Sequence, residues 1–122
     1  MSDTQLEVRE IKEYSRAFKI IASDDRGKEI GHAMLYLMQD ESHTKPIGYF
    51  SNLLVDKDFR GAGIGSKLAK KVISEAERLG CYKLLCSSRD SRGIVDWYKR
   101  LGYRAHSTSF RIDFCDGGGK LE

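Results

Sequence analysis

The sequence predicts an α+β fold, a mixed α/β domain in which a mostly antiparallel sheet packs against helices. Three observations support this prediction. Apolar and polar residues alternate in several stretches of the N-terminal half, as they do in half-buried strands. Between residues 64 and 79, apolar residues instead recur every three or four positions, as on one face of a helix. A glycine-rich turn joins the two patterns, and a further strand and helix follow.

Four strands account for the N-terminal half, because alternating residues there are bounded by polar turns. They are predicted at residues 5–9, 18–22, 30–38 and 46–55. The second and third form a hairpin, since the charged turn between them contains Gly27. Pro46 starts the fourth strand after a polar loop, which gives an antiparallel meander. Between the first two strands, residues 10–17 leave room for a turn or two of helix at most.

The long helix is predicted from Ile64 to Leu79. Its apolar stripe consists of Ile64, Leu68, Ala69, Val72, Ile73, Ala76 and Leu79. Lysines and glutamates occupy the remaining positions, so one face packs on the sheet and the other faces solvent. Gly80 is the expected residue for a left-handed C-terminal cap, and the next strand is predicted at residues 82–86.

The C-terminal part predicts a second helix and a last strand. The helix ends in an aromatic segment, residues 97–103. The strand is predicted where apolar residues alternate with charged ones, at Phe110, Ile112 and Phe114. Before the helix, serines and an aspartate within residues 87–92 are suited to cap it. Arg89 or Arg92 could instead meet a phosphate or another acidic group of a ligand, and the sequence does not separate these alternatives.

Length, charge and cysteine content indicate one domain over residues 1–122, ordered from about 5 to 114 with a tail at 115–122. The net charge of +3 is too small for a dedicated nucleic-acid-binding protein. Neither a membrane-spanning apolar stretch nor a signal peptide is visible, so we expect a cytoplasmic protein. The three cysteines and three histidines lack metal-ligand spacing, which predicts reduced thiols and no metal.

The most informative feature is the glycine-rich segment at residues 60–66. Its three alternating glycines let the backbone turn tightly and aim several N–H groups at one point. That point lies at the start of the predicted long helix, where unpaired amides and the helix dipole favour a phosphate. The segment therefore predicts a site for a phosphate-bearing ligand, the alternative being a strand-to-helix connection without a ligand.

Two common phosphate-binding motifs do not fit this segment. A P-loop that starts at Gly61 needs another glycine where Ser66 stands. The dinucleotide motif G-x-G-x-x-G also fails, because its last glycine would fall on Ser66 or Leu68. The residues instead match R-x-x-G-x-G from Arg60 to Gly65.

The order of the parts around this motif resembles the GNAT superfamily of acyl-CoA N-acyltransferases. In that family a strand and a short turn lead into the glycine loop, and a long helix, a strand and an aromatic helical segment follow. The corresponding parts here are residues 50–55, 56–59, 60–66, 64–79, 82–86 and 97–103. The resemblance covers residues 47–114 and implies a twisted sheet with a V-shaped slot for CoA. Members usually have helices between their first two strands, so the shortened region here implies an open acceptor site, or one completed by a second subunit in a homodimer.

The resemblance implies that the protein transfers an acetyl group from acetyl-CoA to a primary amine of a small molecule or peptide. In the family, the loop amides hold the pyrophosphate and the preceding strand offers backbone groups to the pantetheine arm. The cofactor-binding residues implied here are Leu53, Leu54, Val55, Arg60, Gly61, Ala62, Gly63, Ile64, Gly65 and Ser66. A backbone N–H of Leu54 or Val55 would stabilise the oxyanion.

Tyr98 is the candidate general acid. It occupies the tyrosine of the family's aromatic segment, whose hydroxyl lies near the CoA sulfur in many members. A tyrosine pKa of about 10 suits donation of a proton to a leaving thiolate. The alternative is a packing role beside Trp97.

The general base is not transferred by the resemblance. The local sequence is most similar to glucosamine-6-phosphate N-acetyltransferases, but their acidic positions fall here on Ser51, Asn52 and about Ser87. That departure puts the sugar substrate in doubt. The candidates that stay open are Glu41 as a base, Ser51 or Tyr49 in positioning water or the amine, and Asp40, His43 and His32.

Two hypotheses from different classes follow. The first is an acetyl-CoA-dependent N-acetyltransferase in which the amine attacks the thioester directly in a ternary complex. The second is a non-catalytic domain that binds acyl-CoA and has lost the base. The missing acids at Ser51, Asn52 and Ser87 favour the second hypothesis.

Overall fold

The computed structural model describes residues 4–87 and 93–119, and within them it shows the predicted α+β fold. The strands are β1 (Ser15–Ser23), β2 (Glu29–Met38), β3 (Ile47–Val55) and β4 (Lys83–Cys86). The helices are α1 (Ile64–Arg78) and α2 (Ile94–Arg100), and short 3-10 turns lie at Lys12–Tyr14 and Lys57–Phe59. Residues 1–86 and 87–122 form two compact units, which are described separately. The single domain expected from the sequence stays a prediction.

The four strands form one mixed, mostly antiparallel sheet in the order β1-β2-β3-β4. The pairs β1–β2 and β2–β3 are antiparallel, which confirms the predicted meander. β3 and β4 are parallel because α1 crosses back over the sheet between them. In the hairpin turn, the Asp24 carboxylate accepts the backbone N–H groups of Arg26 and Lys28.

One face of the sheet is covered by α1, which contacts β1, β2 and β3. Leu35 of β2 and Val72 of α1 are completely enclosed between them. The whole buried apolar core is Ile30, Ala33, Leu35, Leu37, Phe50, Leu68, Ala69, Val72 and Ala76. From residue 33 onward β2 contributes its odd-numbered residues to this core, so the side chains of Met34, Tyr36 and Met38 lie on the opposite face of the sheet.

The end of α1 confirms the cap predicted at Gly80, whose φ is 85°. The Gly80 N–H donates to the Glu77 carbonyl and the Cys81 N–H donates to the Ala76 carbonyl, at 3.1 and 3.0 Å. This pair of bonds is the Schellman motif, which requires a left-handed residue that glycine adopts without strain. The cap turns the chain directly toward β4.

The described part of the second unit contains α2 and the chain that follows it. Tyr98 lies on this helix, and the rings of Trp97 and Tyr103 meet its ring edge-on at centroid distances of 5.0 and 5.5 Å. The Tyr103 N–H donates to the Tyr98 carbonyl at 3.1 Å and closes the helix. The aromatic segment is therefore a packed helix end, as the sequence predicted.

Two predicted strands are wrong. Leu6 and Val8 lie in irregular chain with exposures of 93 and 99%. Phe110, Ile112 and Phe114 are likewise in irregular chain and are 93, 79 and 93% exposed. Alternation supplies an apolar face, but a strand also needs a neighbour for its backbone hydrogen bonds. Neither segment pairs with another strand among the described residues.

Among the described residues before β1, a 3-10 turn at Lys12–Tyr14 leads into the strand, which begins at Ser15 rather than at Phe18. Because the strand predicted at residues 5–9 is not formed, the helical turns predicted between two strands correspond only to this 3-10 turn. In the part of the chain that the structure describes, no helix is long and apolar enough to cross a membrane.

Candidate active site

The sheet opens between β3 and β4. Pairing starts at Ile47 with Lys83 and ends at Phe50 with Cys86. β3 then continues from Ser51 to Val55, and on this side it has no strand partner among the described residues. At a rise of about 3.3 Å per residue, the free edge is roughly 13 Å long. This edge corresponds to one wall of the slot that the sequence implied.

A bulge at Asn52 marks the start of the free edge. Ser51 pairs with Met34, and Leu54 pairs with His32. Between these two pairs, β3 therefore contains one residue more than β2. Asn52 has a φ of 55°, a left-handed conformation that asparagine tolerates better than most residues. Because of the extra residue, the alternation of side chains along β3 changes phase at this point.

The phase change places Leu53 and Val55 against the start of α1. A Cβ added to Gly65 would lie 4.0 Å from Cδ2 of Leu53 and 3.9 Å from Cγ2 of Val55. Before the bulge, the even-numbered Phe50 points into the core and is 3% exposed. Leu54, on the opposite face, is 52% exposed.

The glycine loop connects the free edge to α1. After the turn at Lys57–Phe59, the Arg60 side chain folds back and its Nε donates to the Val55 carbonyl at 3.1 Å. Gly61 and Gly63 have φ of 85° and 81°, and a Cβ on either would meet no atom within 4 Å. The space in front of the loop is therefore open, and only glycine adopts these angles without strain.

The start of α1 is electropositive. Gly63 precedes its first residue in a left-handed conformation and has no side chain that could cap the first amides. The first turn also contains no acidic residue, while Arg60 and Lys67 flank it. The N–H groups that begin the helix, the helix dipole and these cations together favour an anion. The structure thus brings Leu53–Val55 and Arg60–Ser66 together at one end of the sheet.

The loop between β2 and β3 lies at the other end of the sheet. There Asp40 Oδ1 accepts hydrogen bonds from the Ser42 N–H and hydroxyl and from the His43 N–H, at 2.9–3.0 Å. The His43 ring stacks on Tyr82 with centroids 4.4 Å apart. The Ser42 hydroxyl, more than any other group, holds the pKa of the Asp40 carboxyl below its usual value. The groups of this cluster are engaged with each other.

Glu41 lies in the same loop and is exposed. It is not brought together with the glycine loop, because the length of β3 separates the two loops. Ser51 is half-buried and lies at the start of the free edge. Of Glu41 and Ser51, it is therefore Ser51 that lies next to the opening of the sheet.

A second histidine–carboxylate pair lies on β2. His32 Nδ1 is 3.1 Å from Glu29 Oε2, and Lys19 Nζ donates to Glu29 Oε1 at 2.9 Å. The hydrogen bond from Lys19 has the largest effect and that of His32 the next largest, and both hold the pKa of Glu29 below its usual value. His32 is paired with Leu54 across the sheet.

Cys86 stands where β4 ends and the sheet opens, and Cys81 lies before β4. Both are half-buried free thiols, and burial raises the pKa of each. Among the described residues, no three His, Cys, Asp or Glu side chains are grouped to hold a metal ion. Arg89 and Arg92 lie outside the described residues, so their alternative roles stay predictions.

Two features of the site were missed from the sequence. One is the bulge, for which the only signal is a single asparagine inside an apolar run. The other is Gly31, where a Cβ would lie 3.0 Å from the Leu54 carbonyl oxygen and 3.2 Å from Leu68 Cδ1. Glycine at this position lets β2 approach the bulged part of β3 closely.

Comparison with known proteins agrees with this arrangement. A model of the acetyltransferase (GNAT) family matches residues 2–103. A glucosamine 6-phosphate N-acetyltransferase of Trypanosoma brucei brucei is 29% identical over 96 residues, which are 78% of this chain and 64% of that protein. A thialysine N-epsilon-acetyltransferase of Sus scrofa is 34% identical over 76 residues, 62% of this chain and 44% of that protein.

The fold is also similar to solved structures. A crystal structure of a Trypanosoma brucei acetyltransferase superposes with a TM-score of 0.72 at 27% identity, covering 80% of this chain and 69% of that one. The chain spans 64 and 44% of the lengths of the two curated relatives. Those two relatives are named for different acceptors, so they do not agree on one substrate.

Proposed function

Because the chain belongs to the acetyltransferase (GNAT) family, we propose that it transfers an acetyl group from acetyl-CoA to a primary amine. The acceptor is a small molecule or a peptide, and it attacks the thioester directly in a ternary complex. The observation that carries the proposal is the edge of β3 beyond Phe50, which has no strand partner among the described residues and leads through the glycine loop into the start of α1.

Each part of acetyl-CoA has a matching part of this site. The pyrophosphate lies in front of Arg60–Ser66, where the space in front of Gly61 and Gly63 is open and the helix dipole is favourable. The pantetheine arm is extended and contains amides, so it pairs with the backbone of Leu53–Val55 as an added strand would. The thioester then lies near Ser51, where the sheet opens.

Besides the attack, the reaction needs one oxyanion to be stabilised and two protons to be moved. The amine nitrogen bonds to the carbonyl carbon, and a backbone N–H of Leu54 or Val55 stabilises the oxyanion that forms. The C–S bond then breaks, and the thiolate takes a proton from the Tyr98 hydroxyl, which regains a proton from solvent. The nitrogen loses one proton, which completes an amide and free CoA.

We propose that solvent accepts the proton that the amine nitrogen loses. Neither β3 nor β4 contains an acidic residue, and Glu41 lies at the far end of β3. We assign Ser51 the role of positioning a water molecule or the amine at the opening. Without a protein carboxylate as base, kcat/KM rises with pH until the acceptor amine itself is neutral.

A second candidate function is acyl-CoA binding without catalysis. It is favoured by Ser51, Asn52 and Ser87, which stand where the similar sugar-phosphate acetyltransferases have acids. The two functions share the cofactor site and differ only in turnover.

One experiment separates them. The protein is incubated with acetyl-CoA and a panel of amines, free thiol is followed over time, and CoA binding is measured by calorimetry. Thiol release that depends on an amine supports the transferase, whereas CoA binding without turnover of any amine supports the binding domain. In the transferase, Tyr98→Phe lowers kcat about 100-fold and leaves CoA affinity unchanged. Full turnover by this variant would remove Tyr98 from the mechanism.

A further inference from the structure

An open pocket of about 530 Å³ lies on the first unit, with a volume typical of small-molecule sites. The strands β1, β2 and β3 form it. The lining residues are Ser15, Arg16, Ala17, Tyr36, Leu37, Met38 and Tyr49.

The pocket lies on the face of the sheet opposite α1. Tyr36 is the direct cross-strand partner of both Ala17 and Tyr49, and Met38 is the partner of Ser15. Since Leu35 and Leu37 point into the core under α1, their neighbours Tyr36 and Met38 point to the other face. The two paired tyrosines form the centre of the pocket.

The pocket borders the opening of the sheet. Tyr49 directly precedes Phe50, the last residue of β3 that pairs with β4. Ser51 pairs with Met34 and so lies on the same face as Tyr49, about 7 Å further along the strand. A molecule resting on the tyrosines can therefore reach the point where the proposed thioester lies.

Among the described residues, no charged side chain lines this pocket from the face opposite α1. Arg16 alternates with Ala17 and pairs with Leu37, so its side chain lies on the α1 side, with its guanidinium 5.5 Å from the Phe18 ring. On the pocket's own face, Lys19 and Glu29 are paired with each other further along the sheet. Lys83 pairs with Ile47 and so shares the face of Tyr49, but its ammonium lies over the Tyr82 ring at 5.3 Å. The pocket offers aromatic rings, a thioether, a methyl group and hydroxyls.

We propose that this pocket binds the acceptor, and that the acceptor is a primary amine on an uncharged apolar or aromatic body. The inference rests on the proposed acetyl transfer. Among the described residues, no cation lines the pocket from this face, so a phosphorylated sugar would leave its phosphate beside tyrosine and methionine, which costs free energy. A polyamine would find no described carboxylate in this lining for its further ammonium groups. An aromatic or alkyl body packs on the Tyr36–Tyr49 surface, with its amine directed toward Ser51.

The test compares 2-phenylethylamine, glucosamine 6-phosphate and spermidine as acceptors at saturating acetyl-CoA. We expect kcat/KM for 2-phenylethylamine to exceed the other two values by about tenfold or more. A preference for glucosamine 6-phosphate or spermidine overturns the inference.

A charge placed in the pocket sharpens the test. Met38→Lys raises KM for 2-phenylethylamine about tenfold and lowers KM for glucosamine 6-phosphate. Ile21→Lys is the matched control, because Ile21 is 52% exposed on the same face but does not line the pocket. Equal effects of the two variants on both KM values overturn the inference, and CoA affinity checks that each variant is folded.

Failure of the inference is distinguishable from failure of the proposed function. If CoA binds and no amine is acetylated, the transferase fails, and calorimetry of 2-phenylethylamine with the CoA-loaded protein then decides on the pocket. Binding that Met38→Lys weakens and Ile21→Lys preserves supports the pocket assignment. Absence of binding overturns it.

Discussion

The two halves of β3 differ although they belong to one strand. Residues 47–50 pair with strands on both sides, and the half ends at Phe50, which is buried in the core. Among the described strands, residues 51–55 pair only with β2; they contain the bulge and include the half-exposed Leu54. The first half stabilises the sheet, and the second half has backbone groups left for a ligand. The difference shows that an edge able to bind a ligand arises where one strand extends beyond the end of its neighbour.

The loops at the two ends of β3 differ in the same sense. The closed end is the loop before Ile47, where β3 is paired on both sides. Hydrogen bonds and ring stacking there join four residues to one another, namely Asp40, Ser42, His43 and Tyr82. At the open end, α1 begins after Gly63, which has no side chain that could cap the first amides. Acidic and imidazole groups at the closed end hold a loop, whereas the helix dipole and the backbone N–H groups that begin α1 favour an anion at the open end.

The largest effect is expected from Ala62→Asp. A carboxylate within the glycine loop repels the pyrophosphate, and Ala62 is exposed with no positive φ, so the fold tolerates the change. We expect CoA affinity to fall about 100-fold, or about 2.7 kcal/mol, by calorimetry. Thr44→Asp is the control, because it adds the same charge in the exposed loop at the closed end. An equal loss in both variants would mean that net charge, and not the loop, governs binding.

A pair of glycine substitutions separates the two halves of β3. A Cβ on Gly31 approaches the Leu54 carbonyl oxygen at 3.0 Å. Gly31→Ala therefore displaces residues 51–55, the free half of β3, and weakens CoA binding about tenfold. A Cβ on Gly48 meets only side-chain atoms, of Leu84, Cys81 and Leu35 at 3.0–3.4 Å. Gly48→Ala therefore costs about 1–3 kcal/mol of stability and leaves affinity unchanged. Chemical denaturation and calorimetry check both, and a reversed pattern would contradict the division.

The cysteines provide a smaller effect on the unmodified chain. Burial raises the pKa of Cys86 and Cys81, so both thiols alkylate more slowly than the exposed Cys115, and their rates increase with pH. We expect saturating CoA to slow alkylation of Cys86 a few-fold, since the pantetheine passes the end of β4, and to leave Cys81 unchanged. Mass spectrometry of each labelled peptide measures this. Protection of Cys81 alone would place the ligand at the closed end.

The smallest effect is expected when the pH is lowered, and it is confined to the loop at the closed end. The pKa of Asp40 is lowered in the folded protein, so its contribution to stability is present above the unfolded value and is lost as pH falls. Hydrogen exchange of the Ser42 and His43 amides should therefore accelerate below about pH 4, the usual range of an aspartate pKa. Asp40→Asn should exchange faster at neutral pH and lose this pH dependence. CoA affinity at neutral pH should not change in that variant.

Local patterns predicted most of the fold. Alternation predicted β1 to β3, the three-to-four repeat predicted α1, and Gly80 marked the end of that helix. The same alternation was misleading at Leu6–Val8 and Phe110–Phe114, because a strand also depends on a partner that local sequence does not contain. The motif and its flanking strand predicted which residues surround the glycine loop. The bulge at Asn52 and the tyrosine pocket depend on register between strands, so neither was predictable from one segment.

The central claim is that CoA binds along the free half of β3 and in front of the glycine loop. It is tested most directly by following backbone amide NMR signals while CoA is added to the intact protein. We expect the amides of residues 51–55 and 61–66 to shift and saturate together, while those of residues 40–50 stay nearly unchanged. Shifts confined to residues 40–50, or no shifts at millimolar CoA, would contradict the account.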